Sequence, residues 1–441
     1  MTTFDAPGTS AHPISRRVLL GGAAAAAMAF ALPACSAGST VGGQSGAGSK
    51  KSLSMLMLGP NDKTVSEMNT TILPAFTDET GITVELQTSD WGSGFQKVTT
   101  AAASGTLTDV VMMGGIWLAP LASKKAVLPI EDLLKDYADA SEFFPGMLKD
   151  CEFGGHTYGL PLYSDTRTAM YRKSFLEKAG VDTSTLPTTW SEYADVAAKV
   201  SKAGGGPLAF PVDLGADRSV GLQQSYAQLM FQAGGTYYDD SGKAIFASDQ
   251  GVKALDYMTG FYRRNEASAD QVNTGTGPSP FVAGDTAMGF SGFSTIQNAR
   301  QFAPDVEKDI VLGDPLAVDS SGKPTTSAWI NKLGISAKTK NRDGAWQLLQ
   351  FLNNQDNSAK LAELYGGLPA RKDLADAPYL KDISPNLVKA AQYIVPQPPS
   401  PNMLAIAPQI NTSMQEAIRL GKSSKDILAA LDAKINEING V

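Results

Sequence analysis

The feature that most constrains the fold is a regular alternation of strand-like and helical segments after residue 50. The segment "KSLSMLML" (Lys51–Leu58) predicts a buried strand, "ITVELQ" (Ile82–Gln87) predicts a second, and "TDVVMMGG" predicts a third at Asp109–Met113. Helical periodicity separates the strands, and Gly81 is expected to end the first helix. This alternation is typical of a parallel sheet with helices on both faces.

The loops that follow the carboxyl ends of such strands are the first candidates for a binding site. Two of them are "TSDWGSG" (Thr88–Gly94) and "GGIW" (Gly114–Trp117). They contain the candidate ligand contacts Asp90, Trp91 and Trp117. Structural roles are equally open, since Asp90 can cap a helix and both indole rings can pack in a core.

A second set of elements follows "YGLPLYSDTRTAMYRK". Two capping boxes are predicted to open helices, Ser174 with Glu177 and Thr189 with Glu192. The segment Thr236–Ser248 is expected to form a strand pair around an Asp-Ser-Gly turn. Beyond these, the pattern predicts a strand within 327–336, a helix after it, a proline-rich loop at 395–402 and a mostly helical end.

The amino-terminal segment "SRRVLLGGAAAAAMAFALPAC" (Ser15–Cys35) has the order of charges, apolar residues and small residues that is typical of an export signal. Its apolar part is shorter than the roughly 20 residues that span a bilayer. Arg16 and Arg17 are compatible with a twin-arginine signal or an ordinary secretory signal. The ending "LPAC" matches a lipobox, so Cys35 is the predicted lipidation site; the alternative is a simple secretory signal with a chance cysteine.

Residues 36–50 are almost free of apolar side chains and predict a flexible tether, with a reach of roughly 20 Å for about 15 residues. We therefore expect a signal peptide at 1–34 and a lipidated cysteine with its tether at 35–50. Two acyl chains on Cys35 meet the requirement for stable anchoring. The expected location is the outer face of the cytoplasmic membrane.

Composition narrows the chemistry of the chain. Removal of Arg16, Arg17 and Asp5 with the signal changes the formal net charge from −7 to −8, which argues against nucleic acid and acidic membranes as partners. His156 is then the only histidine and Cys151 the only cysteine besides Cys35, so a multi-histidine zinc site and an internal disulfide are excluded. Both residues are expected to be structural. No cofactor motif is present, no metal site is predicted, and 441 residues predict two or more domains.

The segments, taken in order, resemble a known family. That order is a lipobox, a Gly/Ser tether, "TGITVEL", "TDVVMMGGIWLAPLASKKAVLPI", "GGHTYGLPL", "AMYRKSFLEKAG", "TTWSEY", "FVAGDTAMGFSG", "SAWINKLGIS", "GAWQLLQFLNN" and "GGLPARKD". It resembles the family-1 extracellular solute-binding lipoproteins of carbohydrate ABC importers, the maltose-binding-protein-like group. The likeness extends over nearly the whole chain after Cys35.

The resemblance implies an α/β, two-lobe periplasmic-binding-protein fold. Each lobe has a mostly parallel sheet flanked by helices, and the chain crosses between the lobes several times at a hinge. It places the crossings near Tyr163–Thr166, Thr325–Ile330 and Arg371–Asp376. Lobe 1 would comprise 51–164 with 330–372, and lobe 2 would comprise 165–329 with 373–441. Ligand would bind between the lobes and favour their closure.

A sugar presents apolar C–H faces and hydroxyl-rich edges, which suit indole rings and polar acceptors. Asp165 lies where the resemblance places a cleft glutamate, and Arg167 follows on the same strand face. Phe293 in "FSGFS" would be a stacking platform, and Trp329 lies at the second crossing. Arg371 in "GGLPARK" can reach the cleft or pair the lobes.

Asp213 and Asp217 in "VDLGADRS" are further candidates from a loop after a buried strand, with a turn role equally open. The expected function is a monomeric, lipid-anchored receptor that captures a sugar or oligosaccharide and delivers it to an ABC permease, without enzymatic activity or cofactor. One alternative is a binder of a glycerol phosphodiester or another charged small molecule through arginines such as Arg167, Arg218 and Arg371. Another is a surface glycoside hydrolase with paired carboxylates.

Overall fold

The computed structural model describes residues 51–210, 221–271, 277–381 and 385–441. The predicted signal, Cys35, the tether, Asp213, Asp217 and Arg218 lie outside these ranges. The described residues form the strands β1 (Ser52–Leu58), β2 (Thr83–Ser89), β3 (Val110–Met113), β4 (Glu152–Phe153), β5 (His156–Thr157), β6 (Leu160–Thr166), β7 (Thr168–Arg172), β8 (Ala209–Phe210), β9 (Met288–Ser291), β10 (Ile310–Leu312), β11 (Ala328–Ile335) and β12 (Leu368–Pro369).

Helices cover both sheets and form most of the carboxyl-terminal part. They are α1 (Asp62–Glu67), α2 (Leu73–Thr80), α3 (Trp91–Ser104), α4 (Leu118–Ser123), α5 (Glu131–Leu134), α6 (Pro145–Lys149), α7 (Lys173–Lys178), α8 (Trp190–Gly204), α9 (Gly221–Gln232), α10 (Asp249–Arg263), α11 (Pro280–Ala283), α12 (Phe293–Phe302), α13 (Pro304–Glu307), α14 (Arg342–Leu352), α15 (Gln355–Tyr365), α16 (Pro378–Lys381), α17 (Pro385–Ala390), α18 (Met403–Leu420) and α19 (Ser424–Asn439). A short π-helix, Met68–Ile72, joins α1 to α2.

The larger sheet has six strands in the order β12-β6-β11-β3-β1-β2. As the alternation predicts, β1 pairs in parallel with both β2 and β3. The expectation of a mostly parallel sheet is wrong beyond these three strands, because β11 is antiparallel to β3 and β6, and β12 is antiparallel to β6. The carboxyl ends of β1, β2 and β3 still lie together at one edge.

The smaller sheet has four strands in the order β10-β7-β9-β8, and only its β8–β9 pair is parallel among the described strands. The chain passes from the first sheet to the second through Arg167, the single residue between β6 and β7. A second connection runs alongside it, where the backbone N–H of Arg167 donates to the carbonyl of Ser327 just before β11. Arg167 and Ser327 therefore lie where the chain passes between the two sheets.

Each sheet has its own apolar core. Residues such as Met55, Val111 and Leu349 pack under the six-stranded sheet, whereas Tyr171 and Tyr193 belong to the core of the four-stranded sheet. Part of the carboxyl-terminal segment joins the first core, including Ala377, Leu380, Leu387, Ala391 and Ile394. Within the described ranges, the helices are all too short or too polar to cross a membrane.

Several local predictions can be compared with these elements. Gly81 ends α2 in the left-handed region at φ 70°, and Thr189 with Glu192 forms the predicted capping box of α8. The box predicted at Ser174 is wrong, since its hydroxyl donates to Asp309 instead, at 2.7 Å. The strand pair predicted within 236–248 reduces to one bridge, between Tyr238 and Ala244.

Candidate functional site

An exposed indole marks the edge where the parallel strands end. Trp91 is the first residue of α3, directly after β2, and is 42% exposed. Its ring lies against the bare backbone of Gly59, which follows β1, and of Gly114, which follows β3. A methyl group on Gly114 would lie 3.0 Å from Cζ3 of this ring. The ends of the three parallel strands therefore together support one exposed ring, that of Trp91.

Asp90 and Trp117 support this surface rather than extend it. Asp90 is the N-cap of α3 and accepts a hydrogen bond from the backbone N–H of Ser93 at 2.8 Å. Hydrogen bonds from Ser93 hold the pKa of Asp90 below its ordinary value, so the cap stays ionised. Trp117 is buried and packs edge-on against Trp91, with ring centroids 5.7 Å apart. Asp90 thus caps a helix and Trp117 packs in the interior, as their structural interpretations predict.

A second indole lies on the neighbouring glycine. A methyl group on Gly115 would lie 3.1 Å from Cε3 of Trp329, near the start of β11. The Nε1–H of Trp329 is buried and has no hydrogen-bond partner among the described residues. Buried donors of this kind are rare in folded proteins, and a ligand oxygen is one group that can satisfy them.

Asp165 and Arg167 flank this ring on the adjacent strand and crossing. Asp165 is the register partner of Trp329, and the guanidinium of Arg167 lies 5.8 Å from the centre of the indole. The two charges face each other, with Nη2 of Arg167 3.5 Å from Oδ2 of Asp165. Nε of Arg167 is buried without a partner within the described ranges. The pair offers both an acceptor and a donor while remaining close to neutral.

The opposite sheet reaches this carboxylate through α12. The Ser294 hydroxyl donates to Oδ1 of Asp165 at 3.4 Å, and a methyl group on Gly292 would lie 2.6 Å from the same oxygen. Gly292 carries no side chain that could cap α12. The carboxylate therefore faces the amino-terminal turn of a helix from the four-stranded sheet.

A cavity of about 370 Å³ adjoins this site at Gly115. Gly115 and Ile116 line it from the β3 loop, and Gln397 and Ser400 line it from the proline-rich segment before α18. A larger groove of about 560 Å³ runs along β10 and the α7–α8 loop. Neither Trp91 nor Trp329 lines the cavity or the groove. Convergent polar and aromatic groups, more than volume, mark a ligand site.

Two predicted contacts are corrected by the structure. The ring of Phe293 is 1% exposed and lies beneath the guanidinium of Arg300, at 5.5 Å, so it is not an open platform. Arg371 is also buried, and its guanidinium donates to Asp139, to Asp373 and to the carbonyl of Asn353. Both side chains are therefore held in the interior by contacts within the protein.

Sequence reasoning missed the groups that support the predicted ones. Gly59, Gly114 and Gly115 had a signal, because they follow the ends of two strands, in "LGP" and "GGIW". Ser294 had none, since its approach to Asp165 joins residues 129 positions apart. Within the part of the chain that the structure describes, no group of three or more histidine, cysteine or acidic side chains could hold a metal ion.

Known proteins that are similar to this chain also bind small solutes. The chain is 25% identical over 365 residues to the sn-glycerol-3-phosphate-binding periplasmic protein UgpB of Salmonella typhimurium, covering 77% of this chain and 80% of that protein. It matches the sugar-binding protein MalE of Xanthomonas citri at TM-score 0.76 and 21% identity, over 88% and 97% of the two chains. An ABC transporter solute-binding protein of Thermotoga lettingae, solved with α-D-tagatose, matches at TM-score 0.74 and 24% identity, over 88% and 99%.

The two solved structures establish the α/β periplasmic-binding-protein fold that the sequence predicts. The sequence pattern described as bacterial extracellular solute-binding protein matches residues 62–359, about two thirds of the chain. Its members are receptors without enzymatic activity, which removes the glycoside hydrolase alternative. The chain therefore belongs to the family of bacterial extracellular solute-binding proteins that serve ABC transporters.

Proposed function

We propose that this protein is a monomeric, lipid-anchored receptor that captures a sugar or oligosaccharide and delivers it to an ABC permease. The observation that carries the proposal is the grouping of Trp91, Trp329, Asp165 and Arg167 between the two sheets. Indole faces suit the C–H faces of a pyranose, and the Asp–Arg pair suits a hydroxyl group, which both donates and accepts.

The proposed lobes keep the boundaries expected from the resemblance, 51–164 with 330–372 and 165–329 with 373–441, with the segment 377–394 at their border. Asp213 and Asp217 remain proposed contacts from lobe 2. Anchoring through a diacylated Cys35 would hold the receptor at the outer face of the membrane, near its permease. The lipobox and tether support this part of the proposal.

A second candidate ligand is a glycerol phosphate, as in the name of the Salmonella relative. The unpartnered Nε of Arg167 favours it, because guanidinium groups bind phosphate oxygens well. The neighbouring Asp165 carboxylate opposes it, since a second anion at this distance is repelled. Sugar is therefore the preferred ligand class.

The test is a thermal-shift and calorimetric screen of the full-length chain in detergent against α-D-tagatose, maltose, maltotetraose and sn-glycerol 3-phosphate. A ligand present at 100 times its Kd stabilises the protein by about 2.7 kcal/mol, which moves the melting curve clearly. We expect at least one sugar to bind. A shift with sn-glycerol 3-phosphate alone would select the second candidate, and no shift in the whole panel would contradict the proposal.

Matched variants locate the site. Trp91→Ala and Asp165→Ala should remove the shift and leave the unliganded melting temperature nearly unchanged. Phe302→Ala is the control for Trp91, because Phe302 is an equally exposed aromatic residue at 43%. Asp314→Ala is the control for Asp165, because Asp314 also pairs with one cation, Lys389. Normal binding by both site variants would show that the ligand lies elsewhere.

A further inference from the structure

Two adjacent glycines hold the two indoles of the proposed site. Gly114 contacts the ring of Trp91 and Gly115 contacts the ring of Trp329. Neither glycine has a positive φ, so their backbone conformation is open to any residue. Glycine is therefore needed at these positions because the indole rings lie close to them, and not because the backbone conformation requires it.

The available space supports this interpretation. A methyl group on Gly114 would lie 3.0 Å from Cζ3 of Trp91 and 3.5 Å from Cε2 of Trp117. A methyl group on Gly115 would lie 3.1 Å from Cε3 and 3.6 Å from Cζ3 of Trp329. Optimal carbon contacts lie near 3.5–4.0 Å, so any side chain here displaces a ring by a few tenths of an ångström or more.

Gly115 has a second consequence, because it also lines the cavity of about 370 Å³. A side chain at this position would point at Trp329, which is not among the residues that line the cavity. It would therefore displace either the ring or the β3 loop that forms part of the cavity wall.

We propose that Gly114 and Gly115 are positioning residues that set the height of the two indole platforms and the space between them and the cavity wall. The inference rests on the proposed function, since it assigns the two rings to ligand binding. It predicts that the size of the residue at position 115 controls both the affinity for sugar and the largest sugar accepted.

The test compares Gly115→Ala, Gly115→Val and Gly114→Ala with Gly206→Ala in the full-length chain. Gly206 is the control because a methyl group there meets no atom within 4 Å and its φ is not positive. Calorimetric titration with maltose and maltotetraose should show roughly five- to tenfold weaker binding for each alanine variant at the indoles. Gly115→Val should lose more, and maltotetraose should lose more than maltose. Unchanged affinity in Gly115→Ala would overturn the proposal.

A double-mutant cycle keeps the test valid if the valine variant folds poorly. The smaller ring of Trp329→Phe relieves the contact with a methyl group, so Gly115→Ala should have little further effect in that background. Additive losses would show that the alanine acts without the indole, and would overturn the proposal.

Failure of the proposed function is recognised separately, because the wild-type chain would then bind no sugar in the panel. In that case the unliganded proteins still test whether Gly115 sets the position of the Trp329 ring. The difference in tryptophan emission between each protein and its Trp329→Phe counterpart isolates this ring, and it should change in Gly115→Ala but not in Gly206→Ala. An unchanged difference spectrum contradicts the inference.

Discussion

Two tryptophans in different parts of the molecule show how the same side chain serves packing in one place and exposure to ligand in another. Trp190 belongs to the core beside the four-stranded sheet, is 4% exposed and stacks on Tyr257 with ring centroids 4.3 Å apart. Its Nε1–H donates to Gln232 at 2.7 Å. Trp329 rests on a glycine, and its Nε1–H has no partner among the described residues. The two indoles therefore differ in whether their polar atom is satisfied within the described residues.

The surroundings of the two rings differ in the same way. Near Trp190 the aromatic side chains interlock, as in the stack of Tyr193 on Phe290 at 4.8 Å. After β1 and β3, the bare backbone of Gly59, Gly114 and Gly115 lies against the indoles of Trp91 and Trp329. Trp190 therefore packs against an aromatic side chain, whereas Trp91 and Trp329 also lie against glycine backbone.

Truncation of the packed ring should have the largest effect on folding. Trp190→Ala removes a buried indole and leaves Oε1 of Gln232 without its Trp190 donor, and such changes cost about 3–5 kcal/mol. Chemical denaturation should show this loss in the free energy of unfolding. Trp91→Ala, measured in parallel, should change that free energy by less than about 1 kcal/mol, because its ring is 42% exposed. Similar losses in the two variants would contradict the distinction between the regions.

Asp309, next to the four-stranded sheet, forms internal hydrogen bonds that predict a pH dependence. Burial alone raises the pKa of Asp309, but hydrogen bonds from Ser174 and Arg172 outweigh it, so the pKa lies below the ordinary value of 3.8. A depressed pKa stabilises the folded state above pH 3.8 and loses that effect as the pH falls through the folded-state pKa.

Asp309→Asn should therefore cost about 1–3 kcal/mol at pH 7. Its difference from the wild-type protein should shrink in unfolding experiments below about pH 4, where both chains lack the charge. Asp195→Asn, on the exposed face of α8, controls for the loss of one negative charge. A difference that persists undiminished at low pH would show that the interaction does not depend on the carboxylate charge.

The smallest effect on folding is expected where the ring is unsatisfied. Trp329→Phe removes a buried N–H that has no partner, so the unliganded protein should stay within about 1 kcal/mol of the wild type. Sugar affinity should fall roughly tenfold if a ligand oxygen accepts from this group. Trp190→Phe is the matched control, and it should destabilise the protein without changing affinity. A larger loss of stability in Trp329→Phe than in Trp190→Phe would reverse the comparison.

Local patterns in the sequence were sufficient for β1, β2 and β3, for the stop at Gly81 and for the capping box of Thr189 with Glu192. These features depend on residues a few positions apart, whose periodicity and hydrogen bonding act within one element. The predicted box at Ser174 failed for the complementary reason, since Asp309, 135 residues away, takes its hydroxyl. The strand predicted within 327–336 is β11, but its antiparallel direction was missed because direction depends on the crossings.

Sequence alone therefore determined where the parallel strands end, and hence that the loops with Trp91 and Trp117 would meet at one edge. Only the tertiary structure decided which of the other candidates join them. It brought Trp329, Asp165 and Arg167 together between the sheets and gave Phe293 and Arg371 to the interior. The physical reason is that the ends of strands and helices follow from patterns and hydrogen bonds within a few positions, whereas strand pairing and the burial and partners of a side chain depend on segments from distant parts of the chain.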